Sequence, residues 1–216
     1  MEKKNDTTEL VFILDRSGSM AGLEGDTIGG FNAMLARQKQ ENAGRCYVST
    51  VLFAGESAVL HDRLPLEQVP PMTAKDYCVG GCTALLDALG GAIRHVENIH
   101  KYARPEDVPA RTMFVVTTDG MENASRRFGS DEVKRMVSAH REQGWEFLFV
   151  AANIDAVEAA AGVGIGRDRA VNYRADARGT GVVYEALGKA VSSVRKCAKV
   201  EANWSAEIAE DFENRR

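Results

Sequence analysis

Three short apolar runs, at residues 10–14, 113–116 and 147–152, each stop abruptly at polar groups: Asp15, then Thr117-Thr118-Asp119, then Asn153. None of them alternates apolar with polar residues, as a strand with one wet face does. Unbroken runs of this length are what parallel strands covered on both faces look like. Between the runs lie stretches of helical period: Ile28, Phe31 and Leu35; Leu85, Leu89, Ile93 and Val96; Val133, Met136, Val137 and His140; Val183, Leu187, Val191 and Val194. A parallel crossover needs a dozen or more residues, and a helix usually supplies them. The expected fold is therefore α/β: a doubly wound, mostly parallel sheet flanked by helices.

One connection departs from that pattern. The run at residues 47–53 is followed almost at once by another at 58–61, with only Ala54-Gly55-Glu56-Ser57 between them, too short to return a parallel strand. The two must form a hairpin. The second, ending in His61, Asp62 and Arg63, reads as an antiparallel edge strand blunted by charge. A further short strand near residues 170–173 brings the sheet to six strands. In the common order 3-2-1-4-5-6, with strand 3 antiparallel at the edge, the first strand lies beside the fourth.

With 216 residues, 44% of them apolar and 27% charged, the chain has the make-up of a soluble globular protein and needs neither disulfide nor structural metal to hold a core. The expected organisation is one domain over residues 1–199 and a helical tail over 200–216. In the tail Trp204, Ile208 and Phe212 recur every four residues, forming one apolar stripe for the chain's own domain or for a partner groove. A net charge of −4 with both signs interspersed argues against nucleic acid and membrane surfaces as partners. The run at 10–14 is too short for a signal core or a membrane span, so a cytoplasmic protein is expected. Its four cysteines, at 46, 78, 82 and 197, are then free thiols, and Cys78 and Cys82 lack the second pair or nearby His that zinc would need.

The strongest chemical signal is Asp15-Arg16-Ser17-Gly18-Ser19, at the carboxyl end of the first strand. Asp119, at the end of the fourth, reaches the same edge, and open α/β sheets bind ligands in the crevice outside those ends. Two carboxylates about 4 to 6 Å apart repel each other, and a divalent cation neutralises both. Oxygen donors suit a hard ion such as Mg²⁺, while the Cys or His that zinc or copper prefers is missing from these strand ends. Singly, each residue has a plainer use: Ser17, Ser19 and Thr83 as helix caps, Asp119-Gly120 as a turn. Together, five oxygen-bearing residues at three loop positions favour the cation.

These motifs resemble the von Willebrand factor A (vWA) domain and its metal-ion-dependent adhesion site (MIDAS). That site combines Asp-x-Ser-x-Ser after the first strand, a Thr in a loop after the third and an Asp after the fourth. The matching residues are Asp15, Ser17 and Ser19; Thr83 in Gly80-Gly81-Cys82-Thr83-Ala84-Leu85; and Asp119 in Thr117-Thr118-Asp119-Gly120. The resemblance implies that Ser17, Ser19 and Thr83 bind Mg²⁺ or Mn²⁺ directly, while Asp15 and Asp119 hold it mainly through water. It further implies an open position that takes an Asp or Glu carboxylate from a partner protein, in a stand-alone, bacterial-type protein working as an intracellular adaptor. Glu122 and Asn123, which follow Asp119, and Asn153 and Asp155, which follow the fifth strand, are candidates for the rim of that partner surface or for supporting the ligands from behind; solvated turn residues are the plainer reading.

The rival reading is a Mg-dependent phosphatase of the haloacid dehalogenase type. Such an enzyme wants a second Asp two positions after its nucleophile, where this chain has Ser17, and a paired acid after Asp119, where it has Gly120. Neither a phosphate-binding Gly-Lys loop nor a Gly-x-Ser-x-Gly elbow occurs. The expectation is a binding protein and not an enzyme.

Overall fold

The computed structural model describes residues 6–215, so the outer ends of the two expected segments, residues 1–5 and Arg216, lie outside it. Strand β1 (Thr8–Asp15) leads to α1 (Glu24–Gln40), and β2 (Cys46–Phe53) to β3 (Ser57–Pro65). Then come α2 (Leu85–Tyr102), β4 (Arg111–Thr118), α3 (Ser130–Glu142), β5 (Glu146–Ala151) and α4 (Ala156–Gly162). The chain closes with β6 (Ala170–Asn172), α5 (Ala177–Cys197) and α6 (Ala206–Asn214).

The six strands lie in the order β3-β2-β1-β4-β5-β6. All neighbours are parallel except β2 and β3, which form the antiparallel hairpin at the edge. Every residue of β1 is buried, which explains its unbroken apolar run. Leu10, Phe12 and Leu14 face one layer, with Phe31 of α1 and Val183, Leu187 and Val191 of α5. Val11 and Ile13 face the other, with Leu89 and Ile93 of α2 and Val133 and Val137 of α3. Both faces are dry, so there is no polar face to alternate.

Close packing fixes the helix layer. A Cβ on Gly30 would stand 2.4 Å from the Tyr184 ring, so only glycine lets α1 approach α5 as it does. Phe31 meets Phe12 edge to face, with ring centroids 5.3 Å apart. At the far end of β1 the buried Glu9 carboxylate is paired on both oxygens, with Arg63 Nε at 3.0 Å and His100 Nε2 at 2.7 Å.

Strand β3 extends beyond the expected residues 58–61. Its pairing with β2 shifts register between Val48 and Thr50 and again between Thr50 and Val51, and Arg63 sits at φ 49°. Irregularity of this kind blunts an edge strand and breaks the pattern that marks one in a sequence. The tail stripe docks on its own domain. Trp204 and Ile208 are buried in the layer that holds α1 and α5, and Trp204 Nε1 donates to Asp168 O at 3.0 Å. Among the described residues no helix is long and apolar enough to cross a membrane, and the four cysteines are free.

Candidate metal centre

Strands β1 and β4 are paired with Leu14 opposite Thr117, so both deliver their last residues to one crevice. Asp15 is 1% exposed and both its carboxylate oxygens are engaged. Oδ1 accepts the Ser17 amide at 2.7 Å, and Oδ2 accepts the Thr118 hydroxyl at 2.6 Å. The first bond is a local turn that folds residues 15–19 back across the strand end. The second ties that turn to β4.

The loop between β3 and α2 closes one side of the crevice. Much of this long loop is a packed wall: Leu66, Val69, Met72 and Tyr77 are buried. The Met72 backbone is held at both polar atoms by the Asn32 side chain, at 2.8 and 2.9 Å. The Tyr77 hydroxyl donates to the Asp15 carbonyl. Farther along, Gly80 N donates to Arg16 O at 2.9 Å and Gly18 N to Gly81 O at 3.0 Å, so the Asp15 and Thr83 loops are bonded to each other. Gly81, at φ 81°, takes the left-handed conformation that this crossing requires.

The hydroxyls converge around Gly120. A Cβ placed there would lie 3.1 Å from Thr83 Oγ1, 3.3 Å from Ser19 Oγ and 4.0 Å from Ser17 Oγ. Ser17 Oγ and Ser19 Oγ are 3.1 Å apart. Ser19 Oγ also donates to Asp119 Oδ1. Thr83 is gripped through its backbone by Asn123, whose Oδ1 accepts Thr83 N at 2.9 Å and whose N donates to Thr83 O at 3.0 Å. Asp119 is 2% exposed, and its Oδ2 is buried with no hydrogen-bond partner among the described residues. Burial pushes the Asp119 carboxyl above its ordinary value; the hydrogen bond from Ser19 opposes the rise and the neighbouring Asp15 charge adds to it.

This arrangement fits a hard divalent cation. Three hydroxyl oxygens converge where a side chain at residue 120 would stand, and one of them, Ser19 Oγ, is bonded to the carboxylate whose other oxygen is buried without a partner among the described residues. Among the described residues no three His, Cys, Asp or Glu side chains form a metal-binding group, so the donors on offer are hydroxyls backed by carboxylates. Oxygen-only donors suit Mg²⁺ or Mn²⁺ better than a soft metal.

The candidate rim residues have more structural work than their positions in the sequence suggest. Glu122 Oε1 accepts Ala124 N at 2.9 Å and Ser125 N at 2.8 Å, while Oε2 accepts Leu86 N at 2.9 Å and Ser125 Oγ at 2.8 Å. It binds the loop after β4 to the first turn of α2. Asp155 caps α4, accepting Val157 N at 2.9 Å and Glu158 N at 3.0 Å. Asn153 stays exposed at φ 57°, in the bend that leads from β5 into α4.

Three supporting residues escaped the sequence reading. Thr118 and Tyr77 hold Asp15 from behind. Asp87 accepts the amides of Arg126, Arg127 and Phe128 at 3.0, 2.8 and 2.9 Å. Thr118 alone carried a signal, a hydroxyl beside Asp119 at the end of a buried strand.

No family model matches the chain, and no curated protein matches its sequence. Solved structures do. Proximal thread matrix protein 1 from the mussel byssus, described with a zinc-occupied MIDAS motif, superimposes at TM-score 0.57 and 15% identity over 86% of this chain and 46% of its own. The von Willebrand factor type A protein from Catenulispora acidiphila gives 0.59 and 14% over 86% of this chain and 43% of its own. The PilB minor pilin from Streptococcus sanguinis gives 0.57 and 10%, over 89% and 62%. The chain thus spans less than two thirds of each of these proteins. At such identities the likeness establishes the fold, which is of the von Willebrand factor A type.

Proposed function

We propose that the protein is a metal-dependent protein-binding module that captures an Asp or Glu side chain of a partner at the β1–β4 crevice. The observation that carries this reading is the unpartnered Asp119 Oδ2 beside three hydroxyls converging in front of Gly120. A bound Mg²⁺ or Mn²⁺ would supply an electrophilic position for one more carboxylate oxygen. Ser17, Ser19 and Thr83 are the direct donors. The Ser19 proton is committed to Asp119, so Ser17 Oγ donates to Ser19 Oγ and one lone pair of Ser19 is left for a cation. Asp15 acts from behind, fixing Ser17 and Thr118 with both oxygens while its charge faces the crevice.

The same facts speak against the phosphatase. Such an enzyme would hold an acid two positions after Asp15, and Ser17 stands there with its amide bonded to Asp15 Oδ1. Among the described residues, 6–199 carry the module and 200–215 its docked tail. Exposed free thiols at Cys78, Cys82 and Cys197 accord with a reducing, cytoplasmic setting for an adaptor.

Calorimetric titration with Mg²⁺ and Mn²⁺ tests the reading. Binding is expected in the wild type and a loss of about tenfold or more in affinity in Asp15→Ala, a residue that orients donors. Equal affinity in both removes the site. Hydrolysis of p-nitrophenyl phosphate that Asp15→Asn abolishes would restore the enzyme reading.

A further inference from the structure

Beside the metal centre lies a cavity of about 360 Å³, bounded by the start of α2, the loop after β4 and the first turns of α4. Leu85, Leu86, Ile154 and Val163 give it apolar walls. Gly120 and Met121 form its near edge, and Gly120 is the residue around which the three hydroxyls converge. The crevice and the cavity therefore share one stretch of backbone. Met121 stands 71% exposed at that junction, a large apolar side chain turned to solvent. Its flexible thioether suits a surface that adapts to an incoming side chain.

Charge decides which end of a ligand goes where. Glu122, Asp155 and Glu158 line the cavity, the first two with carboxylates that also accept backbone amides, and among the described residues no Lys or Arg lines it. A second acid in the ligand would meet repulsion there. An extended segment advances about 3.3 Å per residue, so residues one to three positions from a carboxylate at the hydroxyl cluster reach about 3 to 10 Å along the surface, and Gly120, at the cluster, already borders the cavity.

We propose that the partner's recognition segment pairs its single acid with an apolar side chain, Leu, Ile, Met or Phe, one to three residues distant, and that this side chain seats in the cavity against Met121. The inference rests on the metal-dependent reading of the adjoining centre and adds the chemistry of the partner.

The probe is a displayed library of random heptapeptides, selected on the full chain in Mn²⁺ and again in EDTA, with Mn²⁺ affinity measured by calorimetry on the same preparation. The metal-dependent sequences are expected to share one Asp or Glu with a large apolar residue within three positions. A synthetic peptide of the leading sequence should bind Met121→Ser about tenfold more weakly, the change that burial of one apolar side chain supports. Met121 is exposed, so the variant folds. The inference is overturned if Mn²⁺ binds yet the selected sequences show an acid without an apolar neighbour, if none is metal-dependent, or if Met121→Ser binds the peptide within about twofold of wild type. Absence of Mn²⁺ binding to the wild type instead sinks the metal-dependent reading itself, and the inference with it.

Discussion

Asp119 holds an imbalance that the rest of the crevice does not relieve: one oxygen bonded to Ser19, the other buried without a partner. Burying an uncompensated carboxylate is costly. Asp119→Asn should therefore raise the melting temperature of the metal-free protein while weakening Mn²⁺ binding by about tenfold or more. Thermal melts in EDTA beside a calorimetric titration check both halves; a variant less stable than wild type without metal contradicts the argument. Thr118 presents the opposite case. Thr118→Val keeps the shape and removes the hydroxyl that Asp15 Oδ2 accepts. Leaving a buried acceptor unsatisfied costs about 1–3 kcal/mol. Urea unfolding should show that loss, and a variant as stable as wild type would mean the bond contributes nothing.

The loop between β4 and α3 depends on α2 for its shape. Burial alone would raise the Asp87 carboxyl, yet the amides of Arg126, Arg127 and Phe128 together hold it below its ordinary value. A depressed carboxyl contributes stability that is full above the unfolded value and lost as pH falls through the folded one. Protection of the amides of residues 126–128 against hydrogen exchange should thus collapse at acid pH below about 4, before the β1 amides lose theirs. Asp87→Asn should lack that step. The tail gives a second test at this scale. Trp204 is buried and hydrogen-bonded to Asp168, so Trp204→Ala should cost about 3–5 kcal/mol in urea. Elements such as β1, β4 and β5 were legible because both faces of the sheet are dry, and the stripes of α2 and α5 because one face of each is. The limits of β3 were not, since its bulge and charged end erase the period. At the site, Asp15, Ser17, Ser19 and Asp119 could be picked out because they stand at or just after the ends of apolar runs, and Thr83 because it follows Gly80-Gly81 ahead of a helical stripe. The parts played by Tyr77 and Asp87 arise from contacts between distant loops, which no local pattern records. Glu122 and Asp155 look like rim residues in sequence, yet their carboxylates satisfy backbone amides.

Over the whole molecule, a cation that binds only the folded chain stabilises it by mass action, by about 2.7 kcal/mol at a hundred times the dissociation constant. The strand order also decides when that help arrives. Asp15 and Thr118 are 103 residues apart in the chain, and Ser19 and Asp119 are 100 apart. These groups meet only when β4 has added beside β1, after the β2–β3 hairpin and α2 have been accommodated between them in sequence. Loop-closure entropy on that span is paid before the contacts reward it, and the expectation is that the site completes after the folding barrier. The ion should then be a late passenger. In stopped-flow mixing, Mn²⁺ should leave the refolding rate unchanged and slow only unfolding, as an interaction absent from the transition state does. Faster refolding with metal would show that the cation gathers the strands. If it does not, metal scarcity would leave folding speed untouched and shorten only the lifetime of the finished protein.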